Sequence, residues 1–403
     1  MGVGVFIHFG INTYFGKEWS NGSLPASAFD PTEFDARQWV SVAKDAGAQY
    51  LVLTAKHHDG FCLWPTSTTD YSVRSSPWRG GRGDVVAEVA EACGKAGLGL
   101  GLYVSPWDRN ASCYGDPAAY NDFYVRQLTE LCTRYGPLVE LWFDGAGSEG
   151  YPYDWPRIAD VIHRHQPGAM VFNMGAPTIR WVGNENGLAA DPVEYVVDHT
   201  QMSNYTIVSS TFAEALYLPP ECDVSIRRGW FWQQDDSPKD LEHLLGIYYR
   251  SVGMGANLLL NLPPNRLGLL DEADVKRVQE WARELDARFA EPIHGEIGRR
   301  DDEWLVRFPD EVTLDHLRLS EHLDDGQRVT GHRIWHSDDL ICSAGTIGVN
   351  RLHVFPRRTV RELRVELTGP GAGLDAVTAY RTGHESPPRI PAGYVAPTDH
   401  PED

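Results

Sequence analysis

The six cysteines of this 403-residue chain (Cys62, Cys93, Cys113, Cys132, Cys222 and Cys342) are scattered, with no C-x-x-C pair. That argues against a zinc knuckle, and nothing in the spacing demands disulfides. Cys62, Cys93 and Cys132 fall in apolar or helical runs and read as small packing hydrophobes. No apolar stretch approaches the 18 or so residues of a membrane span. Basic residues are outnumbered, 36 Lys and Arg against 56 Asp and Glu, for a net charge of −20. Such a surface repels nucleic-acid phosphates and anionic membranes, and pairs such as Arg357-Arg358 are too short to make a binding stripe. The start has no basic n-region and no cleavage site; Met1-Gly2 leads straight into Val3–Ile7. A cytoplasmic protein is the expectation, with export left open to a chain carrying an upstream segment.

What is present suits a globular protein: 42% hydrophobic and 23% charged residues can bury a full core. The length fits a barrel of about 250 residues plus about 150 more. Aromatics are abundant, with 13 Trp and 17 Tyr beside 5 Met. They suit either pockets for the flat apolar faces of sugars or a barrel core with aromatic layers.

Strand and helix patterns alternate through the first two-thirds. Continuous apolar runs at 4–10, 50–55, 98–105, 138–143, 169–173 and 257–262 read as strands covered on both faces. Between them, 35–46, 84–96, 116–135, 155–165, 238–252 and 271–289 carry helical spacing, with Asp84 as an N-cap. Residues 177–236 read as loop-rich. Repeated β-α-β units mean a parallel sheet, and the length favours closure into a (β/α)8-like barrel. An open dinucleotide fold would carry a Gly-rich loop after its first strand, where this chain has His8-Phe9-Gly10. After about 290 the pattern turns to short alternating strands at 304–308, 312–319, 327–335, 348–355 and 362–368, read as a small β-sandwich. The expected organisation is a barrel over 1–290, a sandwich over 291–384 and a Pro-rich acidic tail without order over 385–403.

A barrel gathers its chemistry at the C-terminal strand ends. Those ends carry His8, then Lys56-His57-His58-Asp59, Tyr103 with Pro106-Trp107-Asp108, and Trp142-Phe143-Asp144-Gly145, with Arg180–Glu185 after the fifth strand. Adjacent His57 and His58 cannot both face a core, because strand side chains alternate. Strand one offers a single His, not the His-x-His of a metal-dependent barrel hydrolase, so no metal and no cofactor is expected.

These segments resemble glycoside hydrolase family 29, the retaining α-L-fucosidases. GVFIHFG, LTAKHHDGFCLWPT, TDYSV, SPWDRN, ELWFDGA, RWVGNE, ECDVSIR and NLLLNLPPNRLGLL carry the likeness, with a weaker continuation through EHLDDGQRV and TIGVNRLHVFP. RWVGNE and the SPWDRN loop look like the branch acting on α-1,3/1,4-linked fucose. The resemblance implies a retaining exo-α-L-fucosidase acting on fucosylated oligosaccharides or glycoconjugates. Asp144 would be the nucleophile and Glu185 the acid/base, about 5–5.5 Å apart as retention requires. Glu221 is the reserve acid/base, or else a rim partner of Arg227. His8, His57 and His58 would hydrogen-bond the sugar hydroxyls. Glu18 and Trp19 would touch the sugar, Tyr103 and Trp142 would flank its ring and C6 methyl, and Trp230 with Trp232 would add apolar wall. Two other readings remain beside this one: a non-catalytic fucose-binding protein on the same fold, and a metal-dependent barrel hydrolase.

Overall fold

In the computed structural model, which describes residues 2–201, 209–300 and 303–396, the chain enters a strand at once. β1 (Val3–Ile7) and α1 (Ile11–Phe15) are followed by α2 (Ala36–Asp45), β2 (Tyr50–Lys56), α3 (Val85–Ala96), β3 (Gly99–Val104), α4 (Pro117–Arg134), β4 (Glu140–Trp142), α5 (Trp155–His165) and β5 (Met170–Phe172). Then come β6 (Arg180–Trp181), a hairpin of β7 (Val196–Gln201) and β8 (Ser209–Tyr217), β9 (Pro220–Ser225), α6 (Leu241–Arg250), β10 (Asn257–Asn261) and α7 (Glu272–Phe289). Asp35, Asp84 and Asp116 each accept a backbone N–H of the helix they open, a cap worth about 1 kcal/mol apiece.

Eight parallel strands run in the order β5-β4-β3-β2-β1-β10-β9-β6. A bridge between Phe172 and Ile179 joins the two edges of this path, closing a (β/α)8-like barrel. Side chains alternate along every strand. Val5, Ile7, Leu51, Leu53, Leu102, Leu141 and Leu260 face the helices, while Phe6, Val52, Tyr103, Trp142, Phe172, Trp181 and Leu259 fill the interior. Gly4 is one place where this filling dictates the residue: a β-carbon there would lie 2.3 Å from the Tyr50 ring. The loop-rich reading of 177–236 is corrected here. That stretch holds two barrel strands, β6 and β9, and the β7–β8 hairpin. β6 is two residues long, too short for any periodicity to register.

The second unit is antiparallel: β11 (Ile293–His294), β12 (Glu296–Arg300), β13 (Glu303–Glu321), β14 (Gly331–His336), β15 (Asp339–Ala344), β16 (Arg351–Thr368) and β17 (Leu374–Tyr380). The strands expected at 304–308 and 312–319 are one long strand, β13, broken in register by irregularities after Arg307 and Leu314. Bulges of this kind bend a strand so that it serves two layers. β12 pairs with the first half of β13, and β17 with the second. Val306, Leu317, Leu319, Ile334, Val365 and Val377 form the core of this β-sandwich. It is tied to the barrel by Arg351, which grips Asp191 through two nitrogens at 3.0 and 2.8 Å, and by the Tyr249 hydroxyl beside Nε2 of His316 at 2.9 Å. Of the tail expected to lack order, 397–403 lie outside the described residues; 385–396 carry no helix or strand, and part of this segment lies against α6. No described helix is long and apolar enough to cross a membrane.

Candidate active site

One cavity opens at the C-terminal end of the barrel. It is lined by Phe6 and His8 of the first strand and its end, His57 and His58 after β2, Tyr103 of β3, and Trp142 to Ala146 from β4 onward, Phe143 excepted. Phe172, Asn173, Trp181, Glu185, Asp223, Trp19 and Trp230 complete the wall. The interior aromatics form the floor: Trp142 stacks on Phe172 with ring centroids 3.9 Å apart, and on Tyr103 at 5.3 Å. A closed apolar floor with polar groups above it suits a single terminal sugar.

Asp144 is half-buried among donors. Its Oδ2 accepts the Tyr103 hydroxyl at 2.9 Å and lies 3.4 Å from Nε2 of His58, while its Oδ1 accepts the Ala146 N–H at 2.9 Å. Burial alone would raise this carboxyl, but the His58 ring, the Ala146 N–H and the Tyr103 hydroxyl together hold it below the usual carboxylate range. His8 is fixed by Asn261. The amide nitrogen of Asn261 donates to Ser225 and to the Trp230 carbonyl, so its oxygen accepts from the His8 backbone N–H and from Nδ1 at 2.9 Å. Nε2 of His8 is therefore the unprotonated, accepting nitrogen. Burial drives the His8 pKa down to about 3 and that of His57 well below the ordinary range. Nδ1 of His57 is buried and finds no partner among the described residues.

Glu185 reaches the cavity from the loop after β6, and Nε1 of Trp230 donates to its Oε2 at 3.1 Å. The structure thus brings Asp144, Glu185, His8, His57, His58, Trp19, Tyr103, Trp142 and Trp230 to one cavity. Glu18 stands behind the wall. Its oxygens accept the backbone N–H groups of Trp230 and Phe231 and the Gln233 amide, so it holds the Trp230 loop in place. Trp232 does not line the cavity; its indole donates to Asp271.

Glu221, the reserve acid/base, is corrected. It is the second residue of β9 and points into the opposite end of the barrel. There it accepts Nε1 of Trp142 at 3.1 Å and the Asn257 amide at 2.9 Å, and bonds the Tyr50 hydroxyl. Nor does it pair with Arg227, whose guanidinium is taken by Asp271 and Asp274, each at 2.8 Å.

Asp223 is the residue that the reading by strand ends missed. It lines the cavity, accepts Nε1 of Trp181 at 2.7 Å, and is pushed up to about 8 by burial, with Glu221 and Asp144 adding to the rise. The signal was available: Glu221, Asp223 and Ser225 alternate with Cys222, Val224 and Ile226, a period of two that makes a strand and aims Asp223 inward. Phe6 could be read the same way from its spacing to His8.

Comparison with known proteins agrees with this geometry. A family model described as Alpha-L-fucosidase matches residues 12–287. Alpha-L-fucosidase 1 of Arabidopsis thaliana is 38% identical over 429 residues, spanning 94% of this chain and 84% of the plant protein. A glycoside hydrolase 29 family member from an unknown rumen bacterium superposes with a TM-score of 0.86 at 31% identity, covering 96% of this chain and 76% of that one. A family 29 fucosidase of Ruminococcus gnavus, solved in complex with fucose, does so with a TM-score of 0.80 at 28% identity, covering 94% and 92%. With a matched region that takes in most of the cavity lining and all but the first strand of the barrel, the chain belongs to the alpha-L-fucosidase family, glycoside hydrolase family 29.

Proposed function

We propose that the protein is a retaining exo-α-L-fucosidase that removes terminal α-1,3- or α-1,4-linked fucose from oligosaccharides or glycoconjugates. The observation that carries this reading is the pairing of Asp144 and Glu185 on one cavity, with Asp144 held ionised by three donors. Fucose is a 6-deoxy sugar, so its methyl seeks an apolar surface such as Phe6, Trp142 and Phe172 provide. Its hydroxyls need groups that accept and donate, which neutral His8 and His57 supply. An Asp144 oxygen attacks the anomeric carbon from below as the bond to the leaving oxygen breaks, and Glu185 gives that oxygen its proton. Water then attacks the same carbon, Glu185 takes the water's proton, and Asp144 is released as carboxylate. The fucose complex of the Ruminococcus gnavus relative supports fucose as the sugar, and the partner class is a fucosylated glycan.

The test is turnover of α-1,3- and α-1,4-fucosylated trisaccharides beside an α-1,2-linked one, with the product anomer followed by NMR. Free α-fucose as the first product, released mainly from the first pair, is expected. The β-anomer appearing first overturns retention. Preference for the α-1,2 linkage overturns the linkage assignment. Binding of fucose with no release from any of the three would leave the fucose-binding reading in its place.

A further inference from the structure

Gly246 stands in the middle of α6, where glycine weakens a helix relative to alanine. A neighbour accounts for it: a β-carbon at this position would lie 2.7 Å from Cγ1 of Ile390 and 3.4 Å from the Pro388 carbonyl oxygen. Residues 387–396 run without regular structure along this helix and onto the loop that carries Glu185. Arg389 pairs with Glu242 on α6. The Tyr394 ring meets His243 edge-on with centroids 4.5 Å apart and lies 5.2 Å from the Lys239 ammonium. At the end of this segment the Ala396 N–H donates to Oδ1 of Asn186, the residue next to Glu185.

The ion pair is exposed at both ends and adds little; the close packing on Gly246 and the Tyr394 contacts are what seat the segment. Tyr394 is half-buried, its hydroxyl has no hydrogen-bond partner among the described residues, and Glu185 is near enough for its charge to act on the phenol. A general acid must stay within hydrogen-bond reach of the leaving oxygen, and a displacement of about 1 Å can cost a hundredfold in rate. Trp230 holds the Glu185 carboxylate from one side. The 387–396 segment holds the same loop through the Asn186 side chain.

We propose that residues 387–396 are a strap that positions the acid/base, with Tyr394 as its anchoring residue and the Ala396–Asn186 hydrogen bond as its clasp. The proposal rests on Glu185 being the acid/base. It makes proton donation to the leaving group depend on a segment about 200 residues away in the chain.

The test compares kcat/KM of the full chain and five variants on two fucosides. Phenyl α-L-fucoside has a leaving group with a pKa near 10 and needs protonation; 2-chloro-4-nitrophenyl α-L-fucoside has a far more acidic one and needs much less. Tyr394→Ala and Gly246→Val, which unseat the strap from its two sides, are expected to lose about tenfold or more on the phenyl substrate and under about threefold on the activated one. Tyr394→Phe keeps the packing and should stay near wild type. Equal losses on both substrates, following a drop in Tm, or no loss on either, overturn the strap's role. Should Tyr394→Ala fail to fold, Gly246→Val and Asn186→Ala, which removes the clasp acceptor, carry the same comparison. Glu185→Gln separates the strap's role from the acid/base assignment. If it shows the leaving-group-dependent loss and the strap variants do not, the strap proposal fails alone; if it does not, the assignment of Glu185 fails and takes the strap with it.

Discussion

Nε2 of His58 stands 3.4 Å from Oδ2 of Asp144, at the end of a chain of bonds that starts in the backbone. The Ser105 hydroxyl donates to the Trp107 carbonyl at 2.7 Å, so its oxygen accepts from Nδ1 of His58, also at 2.7 Å. The imidazole is thus oriented by the loop after β3, and with the Tyr103 hydroxyl it sets both the position and the charge of the carboxylate. Asp144→Asn keeps the shape and removes the nucleophile. Its expected outcome is a fall in kcat of about a thousandfold or more on an aryl fucoside, with Tm within a few degrees of wild type in a thermal melt. Wild-type-like rates would remove Asp144 from its role.

Tyr103→Phe removes one donor from Asp144 and leaves the ring that stacks on Trp142 and His57. A hydrogen bond to a charged group is worth about 1.5–3 kcal/mol, or roughly one to two pH units. The donor favours the ionised form, so its loss raises the Asp144 pKa. The acid limb of the kcat/KM profile is then expected to move to higher pH by about one unit or more. An unmoved acid limb would show that Tyr103 does not tune the carboxylate.

Much of this was legible in the sequence because the long, continuous strands announce themselves. Residues 51–53 and 258–260 form unbroken apolar runs inside β2 and β10, and the end of β2 delivers His57 and His58 without further information. The two barrel strands that escaped notice did so for different reasons. β6 is two residues long and is set by its pairing with β9, a tertiary fact. β9 alternates polar and apolar residues because its polar side chains face the barrel interior, where Glu221 and Asp223 replace the usual aliphatics. The motif around Glu18 pointed to the right neighbourhood, but no spacing rule could tell a residue that touches the cavity from one that holds its wall. The same limit applies to the tail: proline content foretells the lack of helix and strand at 385–396, whereas its seat on Gly246 depends on a contact between residues far apart in the chain.

Glu18→Ala tests the wall. The carboxylate satisfies the backbone N–H groups of Trp230 and Phe231 and the Gln233 side chain. Each buried donor left without a partner costs about 1–3 kcal/mol. The variant is therefore expected to melt several degrees lower and, because the Trp230 loop loosens, to show a KM raised by about tenfold with a smaller change in kcat. A fall in kcat with KM unchanged would instead mean that Glu18 acts on the reacting atoms.

Asp223 gives the prediction with the clearest sign. Burial pushes its pKa up to about 8 in the folded protein, while an unfolded aspartate titrates near 3.9. Between those two values the folded state holds a proton that the unfolded state has released, so this residue lowers stability progressively as pH rises from about 4 to about 8. Asp223→Asn imitates the protonated form, can still accept the Trp181 indole through its amide oxygen, and removes the titration. The Tm of the variant minus that of wild type is expected to grow as pH is raised through this window and to level off above it. At pH 4, where both chains carry a neutral group, the two should melt together. A difference that stays constant from pH 4 to pH 8 would mean that Asp223 is already ionised in the fold, and that the Trp181 indole at 2.7 Å stabilises a carboxylate there and not a carboxylic acid.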